Sequence, residues 1–175
     1  MFSDPVKNIE QFALKLGSQV ADFGSGSGHY SFAIARAVGD KGKVYAVDIQ
    51  KDLLTKLKSE ANHQGLFNVE IVWGDVEKEG GSKLRSDLLD ALVISNLMFQ
   101  VNQKEAVAKE AFRVLHKDGK LLAVDWSESV GGLGPHPESL VTKDAAVKIF
   151  ESAGFVFERE IQTGDHHFGV LFHKP

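Results

Sequence analysis

The sequence predicts an α/β domain in which a seven-stranded, mostly parallel sheet lies between two layers of helices and ends in an antiparallel strand. Short apolar runs alternate with helical periodicities along all 175 residues, and this alternation is typical of βαβ units. The link between the last two predicted strands, 162–166, is too short for a crossover, so these strands form an antiparallel hairpin. No linker or repeat divides the chain, and we therefore predict one domain over residues 1–175.

The first predicted element is an N-terminal helix within residues 1–17. Pro5 suits a first helical turn, where no amide hydrogen is needed, and Gly17 is a typical stop. Phe23 and Trp73, at the ends of two strands, are predicted to be core residues. Strands are predicted at 19–23, 43–48, 69–73, 88–95, 119–125, 155–161 and 167–172, and further helices at 29–38, 52–63, 102–115 and 142–153.

The segment 129–141 is predicted to be a long loop with a role in binding substrate. It holds three of the 17 glycines and two of the four prolines, and a loop of this length in a compact domain is usually functional.

The composition excludes several classes of chemistry. The chain has no cysteine, which rules out disulfides, thiolate metal sites and cysteine nucleophiles. The net charge is −4, so the chain has no excess of basic residues and no nucleic-acid partner is expected. No apolar run approaches the roughly 20 residues that span a bilayer, and residues 1–10 lack a signal-peptide core. We expect a cytoplasmic protein with no membrane span and no metal.

The most informative stretch is residues 20–28, Val-Ala-Asp-Phe-Gly-Ser-Gly-Ser-Gly. Glycines at 24, 26 and 28 suit a tight strand-to-helix turn and close contact between backbone and ligand. The following helix directs its first amide groups at that loop. Asp48 ends the next strand about 20 residues later, where a carboxylate can accept both ribose hydroxyls. The pattern predicts a site for a nucleoside-bearing cofactor.

Two cofactor classes use this geometry. Dinucleotide enzymes have G-x-G-x-x-G, whereas the spacing here is G-x-G-x-G with His29 at the next position. A count from Gly26 puts Ser31 at the third glycine position, which is a poor match. Asp22 places a second carboxylate beside the loop, which disfavours a pyrophosphate. It suits the ammonium group of S-adenosylmethionine, whose carboxylate suits the helix N-terminus.

The whole pattern resembles the class I S-adenosylmethionine-dependent methyltransferases, with a Rossmann-like fold. The likeness extends over nearly all of the chain, and it is greatest to small members related to ubiquinone/menaquinone-biosynthesis C-methyltransferases. Five motifs carry it, in the order expected for that family: 22–28, 44–48, 74–76, 90–96 and 112–119.

The resemblance implies a cofactor role for most of these residues. Gly24, Ser25, Gly26 and Gly28 would form the loop on which the methionine moiety lies, and Asp22 would lie near its ammonium group.

The remaining roles follow from the later motifs. Asp48 would bind the ribose, and Ile49 would pack on the adenine. Asp75 would accept from the adenine amino group, the Val76 amide would donate to the ring, and the Asn96 carbonyl would border the methionine end.

Structural explanations compete with several of these roles. The glycine cluster could be only a turn, and Asp48 could cap the helix that begins near Lys51. Asp75 lies in a Gly-Asp pair that is common in turns, and Asn96 could simply end its strand.

The sequence indicates no convincing general base. Related methyltransferases often have a histidine shortly after the asparagine, and this chain has Phe99 there. His29, His136 and Asp125 are fallback candidates. His166 and His167 are adjacent on a strand and so point to opposite faces, which prevents them from serving one site.

We predict Phe99, Trp126 and His136 as substrate-side residues, although Trp126 equally suits a packed aromatic. The acceptor is expected to be a small molecule, with no cysteine available for cytosine or arsenic methylation. Two alternatives stay open, a nicotinamide-dependent oxidoreductase and a non-catalytic methyltransferase-like binding protein. The oligomeric state is not predicted.

Overall fold

The computed structural model describes residues 3–132 and 134–175, and it confirms the predicted α/β sandwich. Residues 1, 2 and 133, which belong to the predicted N-terminal helix and substrate loop, lie outside the described residues. The elements are α1 (Pro5–Phe12), β1 (Gln19–Phe23), α2 (His29–Val38), β2 (Lys43–Asp48), α3 (Lys51–His63), β3 (Val69–Trp73), β4 (Leu89–Ser95), α4 (Lys104–Val114), β5 (Leu115–Trp126), a 3-10 turn (Pro137–Ser139), α5 (Lys143–Ser152), β6 (Val156–Ile161) and β7 (His167–His173).

The seven strands form one sheet in the order β3-β2-β1-β4-β5-β7-β6. Strands β1 to β5 pair in parallel, and β7 is antiparallel to both β5 and β6, as predicted for the last strand. The chain order reverses between β1 and β4. In open α/β sheets the crevice at the carboxyl ends of such strands is where ligands bind.

Two hydrophobic clusters cover the two faces of the sheet. Along β4, Leu92 and Ile94 belong to the cluster that contains α4 and α5, whereas Ala91 and Val93 belong to the cluster that contains α1, α2 and α3. Alternate residues of a strand point to opposite faces. The nearly continuous apolar sequence of β4 therefore reflects a strand that is buried on both sides.

Helix α1 is shorter than the predicted segment 1–17. Asp4 caps it, with Oδ1 accepting from the amides of Val6 and Lys7 at 3.0 and 3.3 Å. The helix ends at Phe12, because Ala13 adopts a left-handed φ of +56° and its amide donates back to the last turn. The predicted stop at Gly17 was therefore wrong, and Leu16 is 82% exposed.

Hydrogen bonds tie the end of α1 to β6 and the turn that follows it. Gln11 Nε2 donates to the carbonyl of Gln162 at 2.8 Å, and the Gln162 amide donates to Gln11 Oε1 at 2.9 Å. Arg159 Nη2 donates to the Gln11 carbonyl at 2.6 Å. These bonds join parts of the chain about 150 residues apart and fix the position of α1 over the sheet.

Several other expectations need correction. Strand β5 begins at Leu115 instead of residue 119, and α4 begins at Lys104 instead of residue 102. Helix α4 ends at Val114 instead of residue 115, because Leu115 is extended and pairs with Leu89 as the first residue of β5. Phe23 is fully buried as predicted, but Trp73 is 58% exposed. Trp73 ends the edge strand β3, and its Nε1 donates to the carbonyl of Ile49 at 3.0 Å instead of being buried in the core.

No helix in residues 3–132 or 134–175 is long and apolar enough to cross a membrane.

Candidate functional site

The loop after β1 carries three glycines with positive φ, which is +72° at Gly24, +52° at Gly26 and +91° at Gly28. These values lie in the left-handed region that favours glycine. A Cβ on Gly28 would lie 2.7 Å from Leu57 Cγ, whereas a Cβ on Gly26 would meet nothing closer than 4.0 Å. Gly28 therefore permits close packing of the loop on α3, and Gly26 leaves its side of the loop open to a ligand.

Asp22, two residues before Gly24, is a buried carboxylate with one unused oxygen. Ser31 Oγ donates to Oδ2 at 2.7 Å, and Oδ1 has no hydrogen-bond partner among the described residues. Burial, with a smaller contribution from the negative charge of Asp48, raises the pKa of Asp22 to about 6. A cationic group beside Oδ1 would relieve that cost, so the site fits an ammonium group.

Two more buried polar atoms near this loop have no partner in the described part of the chain, Ser25 Oγ and Asn96 Oδ1. Unpaired buried polar atoms are rare in folded proteins, and a bound polar ligand would explain them. The carbonyl of Asn96, the predicted contact, already accepts a hydrogen bond from Gln100 Nε2 at 2.6 Å. The amide oxygen of Asn96 is therefore the atom that lacks a partner.

Asp48 ends β2 and faces the glycine loop. Its Oδ2 accepts from the Gly26 amide and its Oδ1 accepts from the Gln50 amide, each at 2.9 Å. Gln50 is the N-cap residue of α3, and no side chain caps the first turn of this helix, so Asp48 orders the turn before α3 without acting as its cap. A carboxylate can accept about four hydrogen bonds, and Asp48 retains capacity for a ligand.

Beside Asp48 lies a cavity of about 260 Å³, which Ile49, Asp75 and Val76 also line. Ile49 is 60% exposed, and it presents an apolar surface there. Asp75 accepts from the Glu77 amide at 3.1 Å and pairs with Lys78 Nζ at 2.9 Å. Lys78 lowers the pKa of Asp75. Asp75 therefore forms the turn that was its alternative explanation, and it also lines the cavity.

A buried carboxylate anchors the segment that follows Asp75. Glu110 on α4 is 1% exposed and accepts from the amides of Gly80 and Ser82 at 2.9 and 3.1 Å. Arg113 donates to both of its oxygens, at 2.8 and 2.7 Å. Because the Asp75 amide donates to the carbonyl of Gly81, this wall of the cavity is fixed to α4.

A second cavity, of about 480 Å³, adjoins the first at Gly24, Gly26 and Gln100. Asn96 and His29 line it, and so do residues that the sequence did not indicate, Ser3, Pro5, Tyr30 and Gln100 among them. These residues form no recognisable sequence motif. Ser3, Pro5 and Tyr30 come together because α1 packs against α2, and Gln100 joins them from the turn after β4.

The predicted substrate-side residues do not line either cavity. His136 is exposed, and Phe99 lies on the turn after β4. Trp126 stacks on His167 with ring centroids 4.3 Å apart, as in the packed alternative. Their substrate roles stay predictions.

Of the fallback bases, only His29 lines the second cavity. Asp125 is 3% exposed and accepts from the amides of Met98 and Trp126 at 3.0 and 2.8 Å. Burial raises the pKa of Asp125 to about 6. Its carboxylate therefore holds the turn after β4. Among the described residues, no three His, Asp or Glu side chains are grouped as a metal ion would require.

Comparison with known proteins identifies the family. The sequence profile of the methyltransferase-domain family matches residues 14–154. The ubiquinone/menaquinone biosynthesis C-methyltransferase UbiE of Vibrio campbellii is 30% identical over 115 residues, which is 65% of this chain and 43% of that protein. UbiE of Cronobacter sakazakii is 29% identical over 123 residues, 70% of this chain and 48% of that protein. The chain thus spans less than half the length of these curated relatives.

Solved structures agree. A SAM-dependent methyltransferase from Aquifex aeolicus superimposes with a TM-score of 0.90 at 29% identity, over 99% of this chain and 91% of the other. The [4+2]-cyclase SpnF has a TM-score of 0.83 at 14% identity, over 98% and 79% of the two chains, a likeness that shows the fold alone. These matches lend no support to a nicotinamide-dependent oxidoreductase. The chain belongs to the methyltransferase-domain family, and its fold is that of the class I S-adenosylmethionine-dependent methyltransferases.

Proposed function

We propose that this protein binds S-adenosylmethionine across the two cavities and transfers its methyl group to a small-molecule acceptor. One observation carries the proposal: Asp22 presents a buried, unpartnered Oδ1 next to the glycine loop. The ammonium group of the cofactor's methionine end would satisfy that oxygen. A dinucleotide would bring a pyrophosphate to the same loop, and its negative charge would be repelled by Asp22 and Asp48.

The cavity beside β2 suits the nucleoside. Asp48 would accept from the ribose hydroxyls with the lone pairs that its two backbone donors leave free. Ile49, with its exposed apolar side chain, would pack on one face of the adenine. Asp75 would accept from the adenine amino group, and the amide of Val76 would donate to the ring.

The glycine loop suits the methionine end. Gly26 has open space where a side chain would project, so the methionine moiety would lie against the backbone. Ser25 Oγ and Asn96 Oδ1 are both buried and unpartnered; the Ser25 hydroxyl would donate to its carboxylate, and Asn96 Oδ1 would accept from its ammonium group. Because the Asn96 carbonyl is bonded to Gln100, the amide oxygen is the better contact.

When bound, the cofactor supplies an electrophilic methyl group on a sulfonium. The protein's part is to align the acceptor with that group and to exclude water, and such positioning supplies about 7–11 kcal/mol in favourable cases. A base is required only for an acceptor that must lose a proton, and it would typically add about 10²–10⁴-fold. His29 is the candidate for that role, because it lines the second cavity.

Titration calorimetry with S-adenosylmethionine, S-adenosylhomocysteine and NAD tests the proposal. We expect both sulfur nucleosides to bind with one site per chain and NAD to bind weakly or not at all. An absence of binding by either sulfur nucleoside, or tighter binding of NAD, would contradict it. Incubation with methyl-labelled S-adenosylmethionine and a panel of small hydroxyl, amine and carbon acceptors then separates an enzyme from a protein that binds the cofactor without transfer.

A further inference from the structure

Three side chains from α1, its preceding segment and α2 form a hydrogen-bonded cluster at the second cavity. Asn8 Nδ2 donates to Tyr30 Oη at 2.6 Å and to Ser3 Oγ at 2.8 Å. The two hydroxyl oxygens are 3.3 Å apart. Asn8 is 1% exposed and Tyr30 is 6% exposed, so the cluster is built into the fold.

The cluster contains one more hydroxyl hydrogen than its own hydrogen bonds use. Both hydrogens of the Asn8 amide are used, one on each hydroxyl oxygen. Tyr30 and Ser3 then have one hydroxyl hydrogen each, and their mutual contact uses only one of the two. Within residues 3–132 and 134–175 neither hydroxyl has another partner. One hydroxyl hydrogen is therefore available to a ligand in the cavity that Ser3 and Tyr30 line.

The charges around the cluster select the kind of atom that would accept this hydrogen. Burial raises the pKa of Tyr30, and the negative charges of Asp22 and Asp4 raise it as well, so the phenol is a donor at neutral pH. The same charges repel an anion. No lysine or arginine is among the described residues that line this cavity, so an anionic acceptor would have no basic side chain beside it, whereas the carboxylate of the cofactor brings its own ammonium group.

We infer that Tyr30 and Ser3 form the polar contact for the methyl acceptor, and that they donate a hydrogen bond to an uncharged oxygen of that molecule, such as a carbonyl, ether or hydroxyl oxygen. The inference rests on the proposed function, because it leaves the part of the second cavity at the glycine loop to the methionine end of the cofactor and assigns the part at Ser3 and Tyr30 to the acceptor. Asn8 is the positioning residue, since it holds both hydroxyls and consumes one acceptor site on each.

Tyrosine-selective NMR tests the inference without knowledge of the natural acceptor. The chain has two tyrosines, so labelling of tyrosine Cζ with ¹³C gives two signals, which Tyr30→Phe assigns. The protein is saturated with S-adenosylhomocysteine and titrated with acetophenone, benzoate and ethylbenzene, which present a neutral oxygen, an anion and no oxygen. We expect acetophenone to shift the Tyr30 signal and to bind more tightly than the other two. Benzoate binding as tight as acetophenone, or an unmoved Tyr30 signal, overturns the inference.

The phenylalanine variants supply the second measurement. Tyr30→Phe keeps the ring and removes the donor, and it should weaken acetophenone binding about twofold to tenfold, the usual value of one neutral hydrogen bond. Ethylbenzene binding should not change. Tyr45→Phe is the matched control, because the Tyr45 hydroxyl bonds to Gln19 Oε1 at 3.1 Å and lines no part of this cavity. Equal acetophenone affinity in Tyr30→Phe and wild type overturns the inference.

Measurements of cofactor binding distinguish a failure of this inference from a failure of the proposed function. Tyr30→Phe should bind S-adenosylhomocysteine and 5′-methylthioadenosine, which lacks the amino-acid end, as tightly as wild type does. Selective loss of S-adenosylhomocysteine affinity would assign the hydroxyl to the cofactor carboxylate and overturn the acceptor assignment. Failure of the wild type to bind S-adenosylhomocysteine would instead contradict the proposed function. If Tyr30→Phe does not fold, Tyr45→Phe assigns the two signals, and the Tyr30 signal of the wild type still decides the acceptor assignment.

Discussion

Lowering the pH from about 7 to about 5 should weaken S-adenosylhomocysteine binding about tenfold, because Asp22 must be charged to hold the ammonium group. Burial is the main cause of the raised pKa of Asp22, about 6 in the ligand-free protein. A carboxyl of that pKa is about nine-tenths charged at about pH 7 and about one-tenth charged at about pH 5. A tenfold difference corresponds to about 1.4 kcal/mol.

The sign follows from proton linkage. A cation beside a carboxylate lowers its pKa, so binding expels the proton of Asp22 and becomes stronger as the pH rises through the pKa of the free protein. Calorimetry in buffers with different ionisation enthalpies measures this directly. We expect close to one proton released per ligand at about pH 5 and close to none at about pH 7.

Two controls assign the effect to Asp22 and not to Asp125, whose pKa burial also raises to about 6. Asp22→Asn should bind more weakly at neutral pH and lose the pH dependence. 5′-Methylthioadenosine has no ammonium group, and its affinity should not fall towards acid pH. The reasoning is refuted if wild-type affinity is constant or rises at low pH, or if Asp22→Asn shows the same fall.

Three substitutions test other parts of the site. Asp48→Ala should weaken S-adenosylhomocysteine binding by about 1–3 kcal/mol in calorimetry, because buried polar partners lose their acceptor. Gly28→Ala should lower the free energy of unfolding in urea by about 3 kcal/mol, since it adds a Cβ at 2.7 Å from a neighbouring side chain and strains a positive φ. Glu110→Ala should cost about 3 kcal/mol in the same assay, because it removes the acceptor of two amides and the carboxylate partner of Arg113.

Matched variants make these three results interpretable. Asp52→Ala removes an exposed carboxylate on α3 and should leave cofactor affinity unchanged; an equal loss in both aspartate variants would exclude a specific role for Asp48. Gly65→Ala has positive φ but open space around its Cβ, so it measures backbone strain alone. A Glu110→Ala protein as stable as wild type would mean that the segment after Asp75 does not depend on α4.

The sequence predicts the strands and glycine loop well because their signals are local. The bounds of β1, β2, β3 and α2 agree with the prediction residue for residue, since each is an apolar or amphipathic run with a breaker at its end. The end of α1 was missed because Ala13 adopts a left-handed conformation that its residue type does not signal. Trp73 was misplaced because apolar character does not distinguish an edge strand from a central one.

The residues around the two cavities also differ in how local their sequence signals are. The positions of Asp22 and Asp48 beside the glycine loop were predictable because strand ends meet at one edge of the sheet and one βαβ unit fixes their spacing. The Tyr30 cluster was missed because the two hydrogen bonds to Tyr30 join residues 22 and 27 positions apart, which the packing of α1 on α2 brings together. The substrate-side prediction relied only on position in the sequence for Phe99, Trp126 and His136. Position in the sequence does not determine which way a side chain points.

The hydrogen bonds from Gln11 to Gln162 and Arg159 have a consequence for the order in which the protein is made. A nascent chain that has reached residue 154 already contains the glycine loop and both aspartates. It lacks β6 and the turn that follows it, so the C-terminal end of α1 has no hydrogen bonds to the sheet. On the ribosome, α1 is therefore held only by its contacts with the preceding part of the chain, such as those of Asn8 with Tyr30, until β6 emerges.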